Sequence, residues 1–228
     1  VQLTAALVAI AVVAVFRLYR RRRGLARLEA RLRALRAAAS RPIEHRAPEP
    51  GDSVPAQLAE LSDQLRALGA TELGDVVETE GDNLMRWFAD ADSTTFGWGG
   101  VSGGLFVAFL MSHAGERWTL TRFLPRRVAA LAQPPYIDRA EHVGGRIADA
   151  FATHRARVPG GAIAVRTLDE GLRELADLRA RTLAWREAQP PDQLLEDDLR
   201  AVLGIHFARL GPIMARRLGV RLPEARAL

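Results

Sequence analysis

The chain has no cysteine, and because it has no lysine either, all 32 of its Lys+Arg residues are arginine. The first absence excludes disulfides, thiolate metal sites, iron–sulfur ligation and cysteine nucleophiles. The second excludes a Walker-type phosphate lysine, a Schiff-base lysine and a lysine general base. Aromatic residues are scarce, at 6%. None of the five histidines is spaced H-x-x-x-H, the pattern that would put two metal ligands on one helix face. What remains is ordinary globular material: 228 residues, 48% hydrophobic and 26% charged, enough for one core plus appendages. Arginine in place of lysine, with abundant alanine, points to a GC-rich bacterial genome.

The charge is unevenly placed. Residues 17–46 hold eleven arginines and two acids, a net of +9, whereas 47–228 hold 21 arginines and 25 acids, a net of −4. A nucleic-acid-binding domain carries its basic surface on its own fold. Here the body is mildly acidic, so no nucleic-acid partner is expected.

The basic run follows an apolar one. Val1 to Phe16 contains no charge over sixteen residues. As a helix it would span about 24 Å of a ~30 Å hydrocarbon core. Leu18 and Tyr19 extend it if Arg17 snorkels to the headgroups. A cleaved signal peptide has its positive charges before the apolar run, and here they follow it. Residues 1–19 are therefore expected to be a single transmembrane anchor in a bacterial inner membrane. Arg17, Tyr19, Arg20, Arg21, Arg22 and Arg23 would lie at the interface against anionic lipid headgroups. The positive-inside rule then puts the N-terminus outside and the body in the cytoplasm.

Residues 20–39 read as a basic juxtamembrane helix. Leu25, Leu28, Leu32 and Leu35 recur at spacings of three, four and three, an a/d stripe over two heptads. Two surfaces suit such a stripe, a partner helix or the membrane itself. Residues 40–54 read as a linker, since the run Ser40 to Pro55 carries four prolines without periodicity.

The body, residues 55–190, is expected to be α+β, with an antiparallel meander packed against helices. Leu58, Leu61, Leu65 and Leu68 form one helical stripe, ended by Gly69, with Ser53 as the cap. Strands are expected at Glu72–Glu78, Asn83–Asp90, Thr94–Trp98, Leu105–Ser112 and Arg117–Phe123, separated by turn residues. Leu105, Val107, Phe109 and Met111 alternate with Phe106, Ala108 and Leu110. Both faces of that strand are apolar, which predicts a central strand covered on both sides. Pro134-Pro135 is expected to close the sheet. Helices follow at Arg146–Arg157 and Leu168–Ala188, with a short strand at Ile163–Arg166 between them. Residues 191–228 read as a helical extension, with helices at Gln193–Leu210 and Pro212–Leu218.

Several residues along this body carry a resemblance: Leu68-Gly69, Leu73-Gly74-Asp75, Met85-Arg86-Trp87-Phe88, Asp92 to Phe96, Trp118-Thr119-Leu120-Thr121, Pro134-Pro135 and His154-Arg155. Over roughly residues 57–190 the chain resembles a group of bacterial membrane-anchored α+β proteins built from a helix, an antiparallel meander and a return helix. The resemblance implies a fold and an anchored habit, and no activity.

Candidate chemistry is thin. Asp90-Ala91-Asp92-Ser93-Thr94 superficially resembles the nucleophile motif of haloacid-dehalogenase-like phosphatases. It lacks the turn glycine and that family's lysine, so a hairpin turn capped by Asp92 and Ser93 is expected instead. The glycine run Gly97 to Gly104 follows neither phosphate-loop pattern. It reads as a flexible hairpin tip that carries Trp98 to a partner. Glu141 and His142, near Asp138, form the nearest approach to a metal or acid/base group. Glu196-Asp197-Asp198 reads as a solvated helix face. No catalytic, cofactor or metal site is expected. The sequence predicts a non-enzymatic accessory or scaffold subunit of a larger membrane complex, such as a photosynthetic or respiratory one. Leu25, Leu28, Leu32, Leu35 and Trp98 would meet other membrane-protein subunits. The alternative is an anchored ligand-binding or sensory domain.

Overall fold

The structure, a computed structural model, describes residues 22–41, 43–52, 54–79, 83–102 and 105–220. The apolar run and the interface residues Arg17, Tyr19, Arg20 and Arg21 lie outside the described residues, as does Ser53. Among the described residues, no helix is long and apolar enough to cross a membrane. The chain divides into two compact units, one within 42–128 and 133–186, the other within 1–41, 129–132 and 187–228.

The first unit is α+β. Its strands are β1 (His45–Arg46), β2 (Thr71–Glu78), β3 (Asn83–Ala89), β4 (Phe96–Ser102), β5 (Leu105–Ala114), β6 (Arg117–Leu124) and β7 (Ile137–Val143). They form one seven-stranded sheet in chain order. Every neighbouring pair is antiparallel except β6 and β7, which are parallel. A tight turn cannot join parallel strands, and the twelve residues 125–136 supply the longer return. Pro134-Pro135 therefore does not close the sheet. It leads into β7. The segment 40–54, read as a linker, contains β1 and an Arg46–Asp52 ion pair at 2.7 Å.

Two cores lie on the two faces of this sheet. The chain's second helix, labelled α2 (Ala56–Ala67), and α3 (Ile147–Arg155) cover one face. There Leu58, Leu61, Leu65, Ile147, Ala150 and Phe151 meet Val77, Phe88, Ala108 and Leu110. The other face takes Leu168, Leu172, Leu175 and Leu178 of α4 (Leu168–Ala188) against Val76, Met85, Trp87, Met111 and Trp118. Strand β5 has core residues on both faces, as its sequence predicts. Residues 163–166 form no strand, although the Ile163 and Val165 N–H groups donate to the carbonyls of His113 and Ser93.

The glycines of β4 correct the reading of a flexible tip. A Cβ on Gly97 would lie 1.9 Å from the Phe109 carbonyl oxygen, and one on Gly99 would lie 2.1 Å from a Leu61 methyl. These glycines let β5 and α2 approach closely; they do not loosen a loop.

The second unit is helical. It contains a helix over 22–39, labelled α1, with α5 (Pro191–Leu203), a 3₁₀ turn (Gly204–His206) and α6 (Phe207–Arg217). The expected break at Gly211-Pro212 is displaced to Gly204, whose φ of 51° suits glycine and ends α5. Pro212 sits inside α6. Leu32, Leu195, Leu199, Leu203, Met214 and Ala215 form the core, with Leu25, Leu28 and Leu35 packed against it. Leu32 of the α1 stripe is thus buried against the chain's own C-terminal helices, and Leu25, Leu28 and Leu35 pack there half-buried. Periodicity identifies the apolar face of a helix but not the element that covers it.

Candidate functional site

The most concentrated polar chemistry lies under α3. Ser112 of β5 and Thr121 of β6 point to the face that α3 covers, and His154 completes the α3 stripe of Ile147, Ala150 and Phe151. All three polar residues are fully buried, at 0% exposure. His154 Nε2 lies 3.0 Å from Ser112 Oγ, and Nδ1 lies 3.0 Å from Thr121 Oγ1. Ser112 donates its hydroxyl to the Thr94 carbonyl at 2.6 Å, so it accepts from His154 Nε2–H. Thr121 accepts from Arg157 Nη1 at 3.2 Å, which leaves its own proton for His154 Nδ1. Arg157 in turn pairs with Asp138.

With Ser112 as an acceptor, the neutral ring is the Nε2–H tautomer. Burial first, and the Arg157 guanidinium second, hold the His154 pKa down to about 4. The arrangement is unsuited to nucleophilic catalysis. A base-activated serine gives its proton to histidine, whereas Ser112 gives its proton to a carbonyl and receives one from His154.

Beside this network, Asp90 clamps the β3–β4 turn. The Thr95 N–H donates to Asp90 Oδ1 at 3.0 Å, and the Asp90 N–H donates to the Thr95 carbonyl at 2.7 Å. Arg155 Nη2 reaches Asp90 Oδ2 at 3.2 Å. The turn is therefore held by the buried Asp90, not by Asp92, which is exposed. Ser93 takes the left-handed conformation within it, at φ 61°.

On the opposite face His113 stacks on Trp118, with ring centroids 4.2 Å apart and planes at 7°. Its Nδ1 meets Glu174 Oε2 of α4 at 2.8 Å, and its Nε2 meets the Gly115 carbonyl at 2.7 Å. Both partners, a carboxylate and a carbonyl, are hydrogen-bond acceptors.

The remaining sequence candidates are dispersed. Strand alternation puts Glu141 on one face of β7, 3.0 Å from Arg122, while His142 on the other face stacks on Phe123. Asp138 is occupied by Arg157. Among the described residues no group of three His, Asp or Glu side chains could hold a metal ion. Trp98 lies within β4, half-buried and stacked on Phe109 at 4.4 Å, so it is no loop tip. Arg22 and Arg23 are exposed at the start of α1. Asp198, read as solvated, is fully buried and receives the Ala132 N–H at 3.1 Å and Arg36 Nε at 3.4 Å.

One serine pattern escapes the sequence reading. Gly100-Val101-Ser102-Gly103-Gly104 has the G-x-S-x-G spacing. A nucleophile elbow needs a strand, a sharp turn and a helix; here β4 leads into β5 of an antiparallel pair. The polar network under α3 did leave a signal, since Ser112 interrupts an apolar strand and His154 sits on an apolar helical stripe.

Two of the open cavities among the described residues are lined by arginine. One of about 290 Å³ lies where β6 and β7 begin, with Arg117, Pro135, Tyr136, Asp138, Arg157 and Pro159 among its walls. The other, of about 410 Å³, belongs to the helical unit. No protein-family model, curated protein or solved structure matches the chain.

Proposed function

We propose that the chain is a non-enzymatic accessory or scaffold subunit of a bacterial inner-membrane complex, held there by residues 1–19 as a single span. The observation that carries this reading is where the charge sits. The described residues of the helical unit hold eleven arginines and six acids, and those of the sheet unit hold sixteen arginines and eighteen acids. The basic unit begins directly behind the uncharged run Val1–Phe16. In this reading arginine meets anionic headgroups and the acidic unit lies in the cytoplasm, which that order supports. The closed bonding of Ser112, His154, Thr121 and Asp90 supports a structural use of the polar core. Other membrane-protein subunits are the partners in this reading, and photosynthetic or respiratory complexes are examples of the assembly.

Protease added to intact spheroplasts tests the topology. The body should survive until lysis; cleavage before lysis would refute the cytoplasmic placement. Purification in mild detergent tests the assembly, because a subunit arrives with stoichiometric partners. A second reading, an anchored ligand-binding domain, is favoured by the cavity that carries Arg117 and Arg157. Such a domain would purify alone and gain stability with a small anion through mass action.

A further inference from the structure

The cavity of the helical unit has a composition that the surface arginines alone do not explain. Its volume, about 410 Å³, falls in the range of small-molecule sites. Leu32 and Leu195, at 1% and 2% exposure, form its floor. Pro191, Leu218 and Val220 add apolar walls, and Arg33 and Arg36 complete the lining. The Arg33 side chain is 64% exposed and meets Glu29 at 3.1 Å across one helical turn, a weak solvent-screened pair. The Arg36 side chain, 35% exposed, is drawn toward the buried Asp198. Arg33 is therefore the guanidinium more readily turned to an incoming anion. An apolar floor beside an exposed guanidinium matches a molecule with an apolar body and an anionic end. Arginine serves both parts, since its stem packs on hydrocarbon while its head binds phosphate bidentately.

We propose that this cavity holds one anionic phospholipid, with an acyl chain against Leu32, Leu195, Leu218 and Val220 and the headgroup phosphate on Arg33. The choice of a membrane lipid rests on the anchored reading above; the cavity and its chemistry do not. The proposal goes beyond a diffuse basic surface, because it specifies a single site that discriminates by charge and shape.

Native mass spectrometry of the full chain in a non-ionic detergent tests it, with phosphatidylglycerol or phosphatidylcholine of the same acyl chains added. Phosphatidylglycerol should give a one-to-one adduct that phosphatidylcholine does not match. Arg33→Gln should weaken the adduct about tenfold, and Arg33→Lys should restore part of it. Val220→Trp fills the cavity from its half-buried wall and should also weaken the adduct about tenfold. A thermal melt checks that each variant is folded, and the exposed Arg33 positions keep the test valid should Val220→Trp fail to fold. Equal uptake of the two lipids would overturn the proposal. So would an adduct unchanged by Arg33→Gln and by a folded Val220→Trp; lipid would then sit on the apolar run or the general surface, and the anchored reading would stand without this site. No adduct on the wild-type chain would overturn it as well.

Discussion

Acidification should destabilise the sheet unit through His154, in a pH window set apart from that of the carboxylates. The native ring is neutral, buried at 0% exposure, and bonded to Ser112 and Thr121 at 3.0 Å each. Its pKa falls from 6.5 to about 4, chiefly by burial and then by the charge of Arg157. In the unfolded chain the ring takes up a proton as pH drops below 6.5; in the native state it resists until about 4. Between those values the unfolded state binds more protons, so stability falls with falling pH. The shift corresponds to about 3 kcal/mol, a large share of the ~5–15 kcal/mol that holds a typical domain together. Most of that loss is complete by about pH 4.5.

Urea melts followed by the fluorescence of the buried Trp87 and Trp118 would measure the effect from about pH 7.5 down to about pH 4.5. His45 is also lowered by burial and contributes with the same sign, so the diagnostic quantity is a difference. His154→Gln carries no titrating ring and keeps an amide donor for Ser112. It should cost about 1–3 kcal/mol at neutral pH and then lose much of the remaining pH dependence. Asp52, held down to about 2 by Arg46, loses its contribution only below 3.8 and does not blur the window. If wild type and His154→Gln declined in parallel with falling pH, the proton accounting under α3 would be wrong.

Three further outcomes are expected. Asp90→Ala should cost about 2 kcal/mol in a thermal or urea melt, because it leaves the buried Thr95 N–H and Arg155 without their acceptor, whereas Asp92→Asn should stay within about 0.5 kcal/mol. A magnesium-dependent rise in melting temperature that Asp92→Asn abolishes would contradict the structural role of this turn. Gly97→Ala should cost about 3 kcal/mol or more, or prevent folding, since its Cβ meets the β5 backbone; an unchanged melt would refute that close approach. Leu32→Ala should cost the helical unit about 3 kcal/mol and speed amide exchange in α5 and α6, because Leu32 is a core residue at 1% exposure; unaltered exchange would return the α1 stripe to an outside partner.

Much of the sheet unit is legible in the sequence because its signals are local. Leu105–Ala114 alternates apolar residues on both faces, and a two-residue period suffices to mark a strand buried on both sides. Leu58, Leu61 and Leu65 repeat at helical spacing and do form one core face of α2. Strand β7 shows the opposite case. Ile137-Asp138-Arg139-Ala140-Glu141-His142-Val143 is too polar to read as a strand, and among the described residues its one strand neighbour in the sheet is β6. Charged side chains are a common feature of strands at a sheet edge. Gly97 and Gly99 mislead for a related reason. Glycine marks loops locally, but here it answers to a neighbouring backbone and to a methyl group on α2.

The polar groups are the hardest to assign, because their role depends on contacts distant in sequence. Asp198 sits in a run of three acids near a helix start, and nothing nearby separates it from a solvated face. Its burial follows from α1, more than 150 residues earlier, and from the Ala132 N–H. His154 and Ser112 are 42 positions apart, and Asp90 and Arg155 are 65 apart. Residue type alone leaves a serine–histidine contact open to a catalytic reading. The hydrogen-bond direction at Ser112 argues against it: the hydroxyl donates to the Thr94 carbonyl and so meets His154 as an acceptor. A catalytic dyad requires the serine hydrogen on the imidazole side, and that side is occupied by the hydrogen of the imidazole itself.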